Sequence, residues 1–103
     1  MTNLEALQAL VGLEVTNLCE KTLLDQGIDK DESYDQSQKD SIELASAYVY
    51  KAILAHPNFW EGKLKIEIDR EHLRDLMNAI FDKNNIQIEK IDTRPEIRFT
   101  SIL

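Results

Sequence analysis

The side chains best spaced for chemistry lie between Asp29 and Asp35. Oxygen ligands recur there at alternate positions: Asp29, Asp31, Ser33 and Asp35. A calcium loop uses this spacing because several oxygens must wrap one hard cation, and Asp40 falls where such a loop closes. Three residues depart from that pattern. Tyr34 stands where the sharp turn requires glycine, Gln36 stands at the usual apolar position, and Asp40 replaces a bidentate glutamate. A solvated loop ending in Asp35 as a helix cap explains the same residues without a metal. The expectation is therefore no metal and no cofactor, with this loop as the only candidate.

Other reactive residues fare no better. Cys19 would need a lowered pKa and a neighbouring base to act as a nucleophile, but it falls on the apolar face of a helix. His56 and His72 match no zinc spacing, and no second cysteine completes a site. Glu67, Asp69 and Glu71 are close in sequence, yet Asp69 reads as a cap and Glu71 suits a helix N-terminus. The first two helices, with Gly12 between, loosely suggest helix-turn-helix. The would-be reading helix, residues 17–25, carries one lysine against two acids, which is wrong for a DNA-reading surface. The residues predict a protein that is not an enzyme.

The elements that must position these residues follow from periodicity. Thr2 and Glu5 predict a capping box, and Leu4, Leu7, Leu10 and Val11 mark one helical face before Gly12. Asn17, with Glu20 as box partner, predicts a second helix. Its inner face is Val15, Leu18, Cys19, Thr22 and Leu23, and Gly27 is its stop. Asp35 caps a third helix about 30 Å long. From Leu44 onward that helix is interrupted only by Ser46 and Lys51, so it is expected at the centre of the fold. Pro57 ends it and pushes His56 out of the α region.

Phe59-Trp60-Glu61-Gly62 then reads as a turn. Leu64, Ile66 and Ile68 alternate with Lys63, Lys65, Glu67 and Asp69, which predicts a half-buried strand. Asp69 caps a fourth helix with Leu73, Leu76, Met77, Ile80 and Phe81 inward, stopped by Asn84-Asn85. The expected architecture is mainly α (α+β). It is a four-helix domain around a buried central helix, with a small antiparallel β element from residues 64–68 and the tail. One domain spans 1–103: a helical core at about 3–85 and an extended arm at about 86–103.

Bulk numbers agree. The 103 residues are 43% hydrophobic and 30% charged, enough for one core without staples. The formal charge of −7 disfavours sequence-independent nucleic-acid binding and docking on anionic lipid, and fits a basic protein partner. The single cysteine fits a reducing compartment. No secretory leader is read in Met1–Glu5, and no stretch approaches the ~20 apolar residues of a membrane span.

What remains is surface. Adjacent Phe59 and Trp60 cannot easily both point inward, so one is expected to close the core and the other to meet a partner. Leu64 and Ile66 on the expected strand, and Ile97 and Phe99 on the tail, offer an edge for strand addition.

One stretch carries a resemblance. It runs Ala45-Ser46-Ala47-Tyr48-Val49-Tyr50, then His56-Pro57-Asn58-Phe59-Trp60-Glu61-Gly62-Lys63-Leu64-Lys65-Ile66. Asp69-Arg70 follows, leading into Leu76-Met77-Asn78-Ala79-Ile80-Phe81. It resembles small helical head–tail connector proteins of tailed phages and prophages, over roughly residues 4–85. The resemblance implies a virion structural protein that self-associates into a ring under the portal and touches portal and other neck or tail proteins. It implies no reaction, no cofactor, no membrane, no specific nucleic acid and no small-molecule substrate. The implied location is the virion, or the bacterial host cytoplasm during assembly. The competing reading is a small acidic adaptor or inhibitor that binds a basic partner through Phe59-Trp60.

Overall fold

A computed structural model describes residues 1–86. They form α1 (Asn3–Val11), α2 (Thr16–Asp25), a single 3-10 turn (Gln36–Gln38), α3 (Lys39–Ala55), α4 (Pro57–Leu64) and α5 (Arg70–Lys83).

The first helix starts as its sequence dictates. The Glu5 N–H donates to Thr2 Oγ1 at 3.2 Å, and the Thr2 N–H donates to Glu5 Oε1 at 2.8 Å. Two further amides that the helix leaves unpaired find partners in the acidic loop. Asn3 N–H donates to the Glu32 carbonyl at 2.9 Å and Leu4 N–H to the Lys30 carbonyl at 3.1 Å. Gly12, left-handed at φ 74°, ends α1. Its buried residues are Asn3, Ala6, Leu7 and Val11. Leu10, expected on that face, is exposed.

The second helix is not opened by Asn17 and Glu20. Val15 precedes its first turn with no side-chain cap, and the Cys19 N–H reaches the Val15 carbonyl at 2.9 Å. Burial of Val15 fixes this start, which leaves Asn17 inside the first turn and exposed. Cys19, Thr22 and Leu23 are buried as expected. Asp35 does cap, but it caps the 3-10 turn, accepting the Ser37 N–H at 2.8 Å; α3 then begins at Lys39.

The third helix is the centre. It packs against α1, α2, α4 and α5, and it buries Ile42, Ala45, Ser46, Ala47, Val49, Tyr50 and Ile53. Ser46 resolves its polarity locally, donating to the Glu43 carbonyl at 2.5 Å. The last helix lies along it. Asp69 caps α5 through the His72 N–H at 3.0 Å, and Leu73, Met77 and Phe81 face inward. The Phe81 ring meets Tyr48 edge-on at 5.1 Å. Lys83 Nζ pairs with Glu43 Oε1 at 2.8 Å and pins the far end. Leu76, expected inward, lies at the margin and is exposed. Asn85, at φ 57°, supplies the left-handed stop.

The clearest departure lies between α3 and α5. Residues 64–68 form no strand; among the described residues the β pairing is one isolated bridge, Thr2 to Ser33. The aromatic segment read as a turn is instead the helix α4, a fifth helix where four were expected. Pro57 is its first residue, where a missing N–H costs nothing and the fixed φ suits a helix. Trp60 and Leu64, four apart, face the core together and are half-buried. Helical spacing therefore outweighs a three-residue alternation. The tail half of the expected β element, with Ile97 and Phe99, lies outside the described residues.

Candidate interaction surface

The acidic loop uses its oxygens on the fold itself. Asp29 Oδ1 accepts the Asp31 N–H at 2.9 Å, and the Asp29 carbonyl accepts Asn3 Nδ2 at 2.8 Å. Asp35 accepts the hydroxyl and the N–H of Ser37, and these bonds hold its carboxyl below the ordinary value. Ser33 is tied to Thr2 through backbone. The four candidate ligands are thus spread along a strap that caps α1. Among the described residues, no three His, Cys, Asp or Glu side chains converge as a metal would need.

Cys19 is fully buried, and burial pushes its thiol up to about 11. At neutral pH it is a thiol packed as a small apolar group, not a thiolate nucleophile. His56 and His72 are exposed and belong to separate helix ends. Glu67, Asp69 and Glu71 are exposed as well.

The aromatic segment has a defined geometry. Phe59 stands 59% exposed, while Trp60 is half-buried and packs against the core. Their rings meet edge-on, 5.2 Å apart. Lys63 Nζ lies 5.9 Å from the Phe59 centroid and 5.6 Å from that of Trp60, close enough for cation–π attraction. Trp60 and Lys63 also line a groove shared with the α1–α2 turn. Ile66, just past the helix, is 45% exposed; Leu64 is half-buried and Ile68 is buried.

A polar clamp holds this segment in place. Glu61 Oε2 accepts the Ile68 N–H at 3.0 Å, and Glu61 Oε1 accepts Arg70 Nη2 at 2.6 Å. The same Arg70 nitrogen donates to Asn58 Oδ1 at 2.7 Å. The Ile68 amide first, and Arg70 second, lower the Glu61 carboxyl below its ordinary value. Asn58, Glu61 and Arg70 thereby tie α4 to the start of α5. Sequence spacing did not single them out as a set, because they are three and nine residues apart and only the fold joins them. A carboxylate one turn into a Pro-started helix and an arginine just after a cap was the available signal.

Chemically, this arrangement can present a rigid aromatic and two lysines; it brings no acid–base pair or nucleophile together. The molecule is a helical bundle built around one central helix, with its distinctive residues displayed at an edge. No helix among the described residues is long and apolar enough to cross a membrane. The chain belongs to the family of unknown function DUF6706, whose pattern matches residues 1–102. No curated protein and no solved structure matches it.

Proposed function

We propose that this protein is a structural subunit of a tailed phage or prophage: a head–tail connector that packs as a ring beneath the portal and joins head to tail. One observation carries the reading. The motif residues Asn58, Glu61 and Arg70 act together to hold a short helix whose aromatic, Phe59, faces solvent. A polar network invested in displaying an apolar ring suits an assembly surface, because exposed aromatic anchors dominate protein–protein contacts. The acidic balance of −7 fits a conduit that must not retain DNA. The subunit acts by packing against identical copies, the portal and neighbouring neck or tail proteins, in the virion or in the host cytoplasm during assembly.

The test has two arms. Genes beside the coding sequence should encode portal and capsid proteins. Purified chain mixed with its cognate portal should give ring particles in negative stain. A neighbourhood without phage genes, with no binding to a portal, overturns the proposal. Tight binding of a monomer to a basic protein in that setting supports the acidic adaptor reading instead.

A further inference from the structure

Phe59 and Trp60 make a corner rather than a flat patch. Their rings stand at 85° to each other, with centroids 5.2 Å apart. One cation already uses the corner. The Lys63 ammonium lies over both rings, 5.9 Å from the Phe59 centroid and 5.6 Å from that of Trp60. Residues three and four apart are neighbours on a helix, so α4 brings position 63 to both aromatics. The corner suits a positive group, and Lys63 is the one at hand.

Lys63 holds this place weakly. It is exposed and makes no ion pair among the described residues. An exposed cation–π contact favours the bound position by a factor of about two to five. The lysine stem is flexible and its head is strongly hydrated. A guanidinium competes well for the same place. It is planar, more weakly hydrated, stacks on aromatic faces and carries five donors.

Acceptors for those donors adjoin the corner. Trp60 and Lys63 open onto a groove of about 580 Å³, where Gln8, Glu14 and Asn17 also stand. Glu14 is exposed and makes no ion pair among the described residues. Long-range charge does not choose the ligand. Residues 57–70 set three acids, Glu61, Glu67 and Asp69, against Lys63, Lys65 and Arg70. The end of α1 and the start of α2 both meet the groove, and their opposed dipoles offset. What selects a cation is local: two ring faces, one unpaired carboxylate and two side-chain amides. The net charge of −7 adds only that a basic partner is drawn toward the molecule.

We infer that the Phe59–Trp60 corner receives an arginine side chain from a protein partner. Lys63 is its resident stand-in and gives way when the arginine enters. The guanidinium stacks on the rings and turns its free N–H groups toward the Glu14 side of the groove. The inference rests on the reading of this face as an assembly surface and adds the side chain that the face takes in.

Acetyl-arginine amide is the probe, and its citrulline counterpart is the uncharged control of the same shape. Trp60 is the single tryptophan, so its indole N–H resonance reports on the corner directly. At about 0.15 M salt, distant charges are screened. The arginine compound should then bind at least about threefold more tightly than the citrulline compound. Lys63→Ala empties the corner and should tighten arginine binding about two- to fivefold. Lys65→Ala removes the same charge outside the corner and should leave the affinity near that of the wild type. Phe59→Leu removes one ring and should weaken binding by a similar factor. Should Phe59→Leu alter the circular dichroism spectrum, the two lysine variants decide. An arginine compound that shifts Trp60 no more than citrulline does overturns the assignment. So do equal gains from Lys63→Ala and Lys65→Ala. Either result leaves gene neighbourhood and portal binding as they stand, so the two proposals fail separately.

Discussion

The third and fourth helices are neighbours held by different physics. The seventeen residues of α3 bury seven side chains and touch every other helix. The eight residues of α4 bury none. Hydrophobic burial specifies α3, and losing any part of it opens a cavity in the shared core. A proline start, two half-buried side chains and the Glu61 clamp specify α4. The contrast teaches that the core and the display surface are separable here. Phe59 can stand exposed on α4 because the fold does not depend on burying it, whereas Trp60 and Leu64 seat the helix on the core.

The contrast breaks first at α3. Ile53→Ala should remove about 2–4 kcal/mol of global stability in urea unfolding, because Ile53 is fully buried and its pocket cannot collapse fully. A loss under 1 kcal/mol, roughly the cost of a surface change, would contradict α3 as the central element. Gly62→Ala acts in the opposite direction. The added methyl would meet nothing within 4 Å, and alanine favours a helix interior by up to about 1 kcal/mol. The variant should raise the protection of α4 amides in hydrogen exchange and leave the core amides unchanged.

The subtlest change is Glu61→Gln, which weakens the clamp without touching the core. Trp60, the single tryptophan, reports on it. The substitution should shift Trp60 emission to the red while helical circular dichroism is nearly preserved. Acid should mimic it in the wild type. The Glu61 carboxyl sits below its ordinary 4.5 in the folded state. Its contribution is therefore complete above that value and is lost as pH falls through the lower, folded value. Trp60 emission should change in that acid window before the core unfolds, and Glu61→Gln should abolish the step. Coincident loss of both signals in the wild type would mean that α4 and the core are one cooperative unit.

Much of the core was legible because burial writes a strong period. Leu7 and Val11, Cys19 and Leu23, and Leu73, Met77 and Phe81 all carry the four-residue spacing, and all are buried. Caps were legible where a side chain makes them, at Thr2 and Asp69. The cap at α2 was not, because there a buried valine rather than a polar side chain sets the boundary. The fourth helix was misread for a related reason. It buries nothing fully, so its period is faint, and Leu64, Ile66 and Ile68 imitate a strand. Of the expected surface residues, Phe59 and Ile66 are exposed, while Trp60 and Leu64 mainly seat α4. Leu24 stands outside the inner face read for α2, and it is exposed. Leu10 and Leu76, by contrast, were assigned to the interior and both are exposed.

Cys19 gives the molecule a built-in clock. It is the only thiol in the chain and lies fully covered between the first three helices. A thiol reagent can reach it only when that packing opens, so the rate of modification counts openings of the core rather than surface exposure. The same silence makes the native chain a clean background for chemistry. A cysteine placed at an exposed position such as Phe59 could be labelled selectively, with the natural thiol left out of the reaction.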